Sequence, residues 1–171
     1  MSQPPSLDIS VVVPHLNQSD SLERCLASLA RQTFASHRFE IIVVDNGSEQ
    51  IPTDICARYA NVRLTEEPVP GPGPARNKGI TLAQAPILAF VDADCVTHEG
   101  WLAAIAMAFE DEERKIIGGS VRLLPARPEK MTMVEAYESV FAFRQNFYIA
   151  RQNYAATLNL AMRRSSFEAI G

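Results

Sequence analysis

Asp92 and Asp94 stand one residue apart, directly behind the apolar run Ile87-Leu88-Ala89-Phe90-Val91. Two carboxylates that close repel each other unless a cation neutralises them. Such a pair can hold a hard divalent ion through one or two oxygens and leave its other positions to phosphate oxygens and water. A bare D-x-D also reads as a turn; its place at the end of a buried run favours the ligand reading. Asp45-Asn46-Gly47-Ser48 follows a second apolar run, residues 39–44, and Pro14-His15-Leu16-Asn17 closes a third, residues 8–14. Asp, Asn, Gly and Ser are all turn formers, so a turn with a helix cap is the competing reading of residues 45–48. Gly71-Pro72-Gly73-Pro74-Ala75-Arg76 begins like a dinucleotide-binding fingerprint. Arg76 replaces the third glycine, however, and the segment does not follow the first strand. A flexible loop running into a helix suggests contact with an anion, Arg76 lying at the positive helix end beside free N–H groups. An exposed helix start with solvated charges is the alternative.

These groups need elements to hold them. Residues 8–14 and 39–44 are short β-branched runs and read as buried strands, with shorter ones at 61–66 and 86–91. Leu22, Cys25, Leu26 and Leu29 recur at i, i+3, i+4 and i+7, one helical face, and Asp20 with Glu23 has capping-box spacing. Pro52 is placed to open a short helix through Tyr59. Residues 68–74 hold four of the eleven prolines and read as a loop outside regular structure. Helices are predicted at 75–84 and 100–110, a strand at 115–124, a long helical stretch at 131–152, a strand at 155–162 and a helix turn at 167–170. Strands alternating with helices predict an α/β fold with a mainly parallel sheet. Such sheets bind ligands beyond the carboxyl ends of their strands, where the three polar groups fall. No internal repeat is present.

Composition excludes several classes. Of 171 residues, 47% are apolar and 21% charged, so the chain can build a core and is not of disordered type. A net charge of -4 lacks the basic excess of a sequence-independent nucleic-acid binder. Cys25, Cys56 and Cys95 form no CxxC, and their odd number suits neither a zinc site nor a disulfide framework; a reducing, cytoplasmic setting is expected. No stretch reaches the ~18–20 apolar residues of a membrane span. The N-terminus has no signal-peptide pattern.

Taken in order, four segments carry a resemblance. They are Val11-Val12-Val13-Pro14-His15-Leu16-Asn17, Ile42-Val43-Val44-Asp45-Asn46-Gly47-Ser48, Gly73-Pro74-Ala75-Arg76-Asn77-Lys78-Gly79 and Phe90-Val91-Asp92-Ala93-Asp94. With Asn159-Leu160-Ala161-Met162-Arg163-Arg164 and Phe167-Glu168-Ala169-Ile170-Gly171, the chain resembles the family 2 inverting glycosyltransferases from about Asp8 onward. The resemblance implies the GT-A fold, a Rossmann-like α/β fold with a mostly parallel sheet flanked by helices. It implies transfer of a sugar from a nucleotide-diphosphate sugar donor to a saccharide or lipid-linked acceptor hydroxyl, with inversion. Donor-binding residues would be Pro14, Asn17, Asp45, Asn46, Arg76, Asp92 and Ala93. Asp45 would bond the base or ribose, Pro14 and Asn17 would line the nucleotide pocket, and Arg76 would lie near the base or diphosphate. Asp94, with Asp92, would hold Mg²⁺ or Mn²⁺ on the diphosphate.

Leu16 departs from the tyrosine many members have there. The family's acidic pair carrying the catalytic base lies downstream of the segment ending at Gly171, so residues 1–171 are expected to be one donor-binding domain lacking its C-terminal part. Glu110, Asp111, Glu112 and Glu113 read as a solvated helix end, and His37 and His98 as surface residues. A non-catalytic nucleotide-sugar-binding module is the alternative. A sugar nucleotidyltransferase would need a Gly-rich loop after the first strand, which Pro14-His15-Leu16-Asn17 is not. Residues 137–154 hold six of thirteen aromatics. Tyr137, Phe141 and Tyr148 form one helical stripe, Phe143 and Phe147 a second. That predicts an interaction face, toward a C-terminal region, the membrane periphery or a second copy in a homodimer; one stripe packed on the sheet and the other covered locally is the competing reading.

Overall fold

The continuous apolar runs conceal an alternation, because successive side chains on a strand point to opposite faces. In the computed structural model, which describes residues 7–125, 127, 129–142, 144–152 and 154–170, both faces are covered. Strand β1 (Ile9–His15) sends Ile9, Val11 and Val13 to one core and Val12 to the other. Strand β2 (Phe39–Asp45) does the same with Phe39, Ile41 and Val43 against Ile42 and Val44. The first core is closed by helices α1 (Ser19–Ala30), α2 (Thr53–Cys56) and α4 (Trp101–Ala108), the second by α3 (Pro72–Leu82). With β3 (Val62–Glu66), β4 (Ile87–Phe90), β5 (Ile116–Gly118) and β6 (Leu160–Arg163), they make a six-stranded sheet in the order β3-β2-β1-β4-β6-β5. β1 to β4 pair in parallel, whereas β6 is antiparallel to both β4 and β5. The chain leaves β1 toward β2 and β3, then returns to place β4 on the other side of β1, so the topological switch point lies between β1 and β4.

Several predicted boundaries shift. Helix α1 has Gln18 at its N-cap with no side-chain cap, so the expected Asp20–Glu23 box is absent; Asp20 lies inside the first turn, where a carboxylate meets the positive helix end. α2 stops at Cys56 rather than Tyr59. Pro72, Gly73 and Pro74 are helical, not loop: a first turn asks nothing of its N–H groups, so proline fits there. Those prolines also remove two of the N–H groups expected to be free at that end, leaving more of any anion contact to the Arg76 side chain.

The predicted strand at 115–124 ends at Gly118. Beyond it the Asn159 side chain replaces a ladder partner: Nδ2 donates to Ser120 O at 2.9 Å and Oδ1 accepts from Trp101 Nε1 at 2.9 Å. The long helical stretch divides into α5 (Met133–Phe141) and α6 (Gln145–Gln152). Gln145, 2% exposed, fixes where α6 begins: Oε1 accepts from Ala156 N–H at 2.8 Å and Nε2 donates to Ala156 O at 3.2 Å. The predicted strand at 155–162 starts only at Leu160, after a 3₁₀ turn, and α7 (Arg164–Ile170) follows β6. Of the predicted aromatic stripes, Tyr137 and Phe141 meet at a tilt with ring centroids 4.7 Å apart and are largely exposed, while Tyr148 stacks on Tyr154 at 5.0 Å; Phe143 lies outside the described residues.

α3 carries Arg76, and its seat on the sheet depends on Gly79. A Cβ there would lie 2.4 Å from Val12 Cγ1, against a fully buried, stiff side chain. Gly79→Ala is therefore expected to destabilise the fold by about 1–3 kcal/mol, overpacking outweighing alanine's better helix propensity of ~1 kcal/mol. Thermal unfolding is the measurement; an unchanged or raised Tm would show that α3 can move away without cost.

Candidate functional site

β1 and β2 end level: His15 pairs with Asp45 in register. His15 Nδ1 is 2.9 Å from Asp45 Oδ1, and both side chains are buried. Gln18 N–H donates to His15 Nε2 at 3.2 Å, so Nε2 carries no proton and Nδ1–H donates to Asp45. The pair is thus a hydrogen bond of a neutral imidazole to a carboxylate. Asp45 Oδ2 accepts from Gly47 N–H (3.2 Å) and Ser48 N–H (3.0 Å). Burial alone would push the Asp45 carboxyl up; hydrogen bonds from Ser48 and His15 outweigh it and hold the group below its ordinary value. Asn17, at φ 53°, ties the two loops from the other side: its N–H donates to Ser48 Oγ and its Oδ1 accepts from Glu49 N–H, both at 2.9 Å.

In front of this network lies a cleft of about 340 Å³, within the usual range for small-molecule sites. The end of β1 contributes Pro14, His15 and Leu16, the start of α1 Gln18, and the end of β2 Asn46. The start of α3 contributes Gly71, Pro72 and Arg76; the end of β4 contributes Asp92, Ala93 and Asp94. The cleft therefore sits at the β1/β4 switch point. Arg76 Nη2 donates to Asp92 Oδ1 at 2.5 Å, while Arg76 Nε is buried with no hydrogen-bond partner among the described residues. Asp94 is exposed, and its one described contact is the weak Cys95 thiol donor at 3.7 Å.

Among the residues singled out from sequence, the structure gathers Pro14, Asn46, Arg76, Asp92, Ala93 and Asp94 around this cleft. Asn17 and Asp45 are not among the lining residues: the Asp45 carboxylate is buried and taken up by His15, Gly47 and Ser48, and the exposed Asn17 bonds Ser48 and Glu49 through its N–H and Oδ1. His15, Leu16, Gln18 and Gly71 join the lining; the first three follow an apolar run that already marked a strand end, and Gly71 precedes a proline at a helix start. No group of three or more His, Cys, Asp or Glu side chains converges among the described residues. The open Asp94 carboxylate and the remaining oxygen of Asp92 nevertheless suit a Mg²⁺ or Mn²⁺ ion, which keeps waters and would take the rest of its ligands from phosphate.

The three thiols are free. Burial, then the Asp94 and Asp92 carboxylates, pushes Cys95 up to about 12, so it is no nucleophile at neutral pH. Trp101 packs against the first core, His37 and His98 are exposed, and so are residues 110–113. Among the described residues no helix is long and apolar enough to cross a membrane.

A mostly parallel sheet whose switch point opens into a cleft edged by an arginine and two carboxylates is a doubly wound α/β architecture, in which ligands bind beyond the carboxyl ends of the strands. Residues 10–171 match the family Glycosyl transferase family 2, and the chain belongs to that family. Glycosyltransferase AglE of Haloferax volcanii is 32% identical over 168 residues, which cover 95% of this chain and 55% of AglE. The poly(ribitol-phosphate) beta-glucosyltransferase of Bacillus spizizenii is 38% identical over 94 residues, 52% of this chain and 15% of that protein. Among solved structures, Staphylococcus aureus TarS 1-349 in complex with UDP superposes with a TM-score of 0.75 at 21% identity, covering 96% of this chain and 49% of that one. The mannosyltransferase PcManGT from Pyrobaculum calidifontis, in complex with GDP-Man and Mn²⁺, gives 0.73 at 22% identity, covering 95% and 46%. The fold is the GT-A fold of these glycosyltransferases. The chain spans about half the length of AglE and of these two solved chains.

Proposed function

We propose that residues 1–171 form the donor-binding domain of an inverting glycosyltransferase that takes its sugar from a nucleoside diphosphate. The observation that carries this reading is the unspent capacity at one cleft edge: a buried guanidinium N–H without a partner among the described residues, beside a carboxylate open to solvent. A buried unsatisfied donor costs about 1–3 kcal/mol, and a diphosphate oxygen would relieve it. That the similar structures hold UDP or GDP-Man supports the same reading.

In this reading Pro14 and Ala93 line the nucleotide pocket, with Leu16 offering an apolar edge where a tyrosine would stack. Asp45 and Asn17 hold the rim. Arg76 binds the diphosphate. Asp94, with Asp92, would hold the divalent ion, which when bound offsets the charge gathering on the leaving diphosphate. An acceptor hydroxyl, on a saccharide or a lipid-linked saccharide, attacks the anomeric carbon from the face opposite the leaving group. The new C–O bond forms as the bond to the diphosphate breaks, its electron pair leaving with the diphosphate, and the hydroxyl proton passes to a carboxylate base. The three free thiols support a reducing, cytoplasmic setting, and a lipid-linked acceptor would bring the enzyme to the inner face of the membrane.

Calorimetric titration with UDP and with GDP, each with and without Mn²⁺, tests the reading. Binding of one nucleotide, strengthened by Mn²⁺, is the expected result. Failure of both to bind at millimolar concentration would remove the donor assignment.

A further inference from the structure

We propose that Asn46 is a positioning residue, whose carboxamide sets the loop between β3 and α3 as one wall of the donor cleft. This role rests on the donor reading above. Residues 67–71 read Glu-Pro-Val-Pro-Gly. Pro68 and Pro70 have no N–H, so the loop cannot knit itself into a ladder with its own backbone. Asn46 supplies what is missing. Its Nδ2 donates to Glu67 O at 2.7 Å and to Val69 O at 2.8 Å, using both amide hydrogens, and its Oδ1 accepts from Gly71 N–H at 2.6 Å. Those three backbone groups lie at alternate positions along the loop, so one side chain stands in for a neighbouring strand. Two carbonyls facing the nitrogen and one N–H facing the oxygen also settle the amide's orientation.

The third bond has the functional consequence. Gly71 sits at φ 119°, a left-handed conformation that favours glycine, and it is the N-cap of α3. Gly71 and Pro72 line the cleft, and Arg76 follows one turn later. Asn46 itself is anchored through its backbone N–H, which donates to His15 O at 2.9 Å. A rigid path thus runs from the β1 and β2 ends, through the Asn46 side chain, to the start of the arginine-bearing helix. Asn46 contributes to affinity by keeping that wall in its bound position before the ligand arrives, which lowers the ordering cost of binding.

The test uses Asn46→Ala and Asn46→Asp, read by amide hydrogen exchange across residues 67–71 and by calorimetry with UDP and GDP in Mn²⁺. In Asn46→Ala the loop amides are expected to exchange at least about tenfold faster, with β1 and β2 unchanged, and nucleotide affinity to fall by about tenfold. Asn46→Asp is isosteric and keeps the acceptor for Gly71, but turns a carboxylate on two carbonyls; it should restore neither. Faster loop exchange with undiminished affinity would overturn the proposal. So would lost affinity with unchanged exchange, which would make Asn46 a direct contact. If neither nucleotide binds the unmodified chain, the donor reading fails and takes this role with it; unchanged exchange in the variants fails this role alone.

Discussion

Asp94→Ala is expected to abolish most of the Mn²⁺-dependent part of UDP or GDP affinity and to leave binding of the free nucleoside within about twofold. Asp94 is the exposed carboxylate of the pair, and its only described partner is a thiol at 3.7 Å. Asp92 shares an oxygen with Arg76 at 2.5 Å, so it brings a ligand already drawn toward a cation. A divalent ion held here would depend chiefly on Asp94. Removing even an outer-layer partner of a metal ligand costs about 10–100-fold in metal affinity, and removing a ligand from a set of two should cost no less. The nucleoside lacks the diphosphate that the ion would join to the protein, so it serves as the internal control. Diphosphate binding that is indifferent to Mn²⁺ and unchanged by Asp94→Ala would eliminate the metal role and leave Arg76 as the anion contact.

The sequence made much of the cleft's rim legible because the segments at Pro14, Asn46 and Asp92 each follow a β-branched or apolar run, and in parallel strands those ends fall on one side; Gly71 to Arg76 was marked instead by its Pro/Gly run into a helix start. Register did the rest, placing His15 against Asp45 across two strands. Roles within the rim were harder to read. Asp45 and Asn46 are both turn formers behind one strand, yet the first is buried under His15 and the second binds a loop some twenty residues further on. Neither spacing nor residue type reveals whether an amide faces a ligand or a loop; the signal available was the Pro68/Pro70 pattern, which leaves a loop needing outside partners. A true capping box was also in view at Thr132 and Glu135, where Thr132 Oγ1 accepts from Glu135 N–H, while Asp20 and Glu23 only imitate the spacing. The division between α5 and α6 has no Gly or Pro to announce it. It comes from Gln145 reaching Ala156, a contact between parts of the chain that no local pattern encodes.

Asp45→Asn is expected to lower stability by about 1–3 kcal/mol at neutral pH, a drop in Tm of about 2–12 °C for a chain of this size. Three donors converge on the Asp45 carboxylate: His15 Nδ1–H, Gly47 N–H and Ser48 N–H. An asparagine has one acceptor oxygen. Turned toward the backbone pair, it presents its NH₂ to the imidazole N–H. The imidazole could move its proton to Nε2, but Nε2 already accepts from Gln18 N–H at the start of α1. The mismatch would only pass from one strand end to the next helix, so an isosteric change leaves a buried donor facing a donor. The pH dependence has a definite sign. The Asp45 carboxyl is held below its ordinary value in the folded chain, hydrogen bonds from Ser48 and His15 prevailing over burial. Its contribution is therefore complete above the unfolded value of about 4 and drains away as pH falls through the lower folded value. The gap between the unmodified chain and Asp45→Asn should be widest from about pH 5 upward and should narrow as pH falls below about 4. Urea unfolding of both proteins from pH 7 down to the acid limit of folding measures that gap directly. A constant difference across the range would mean that Asp45 does not titrate differently in the folded and unfolded chains, and a negligible difference at pH 7 would show that the His15–Asp45 lock is not what holds the two strand ends together.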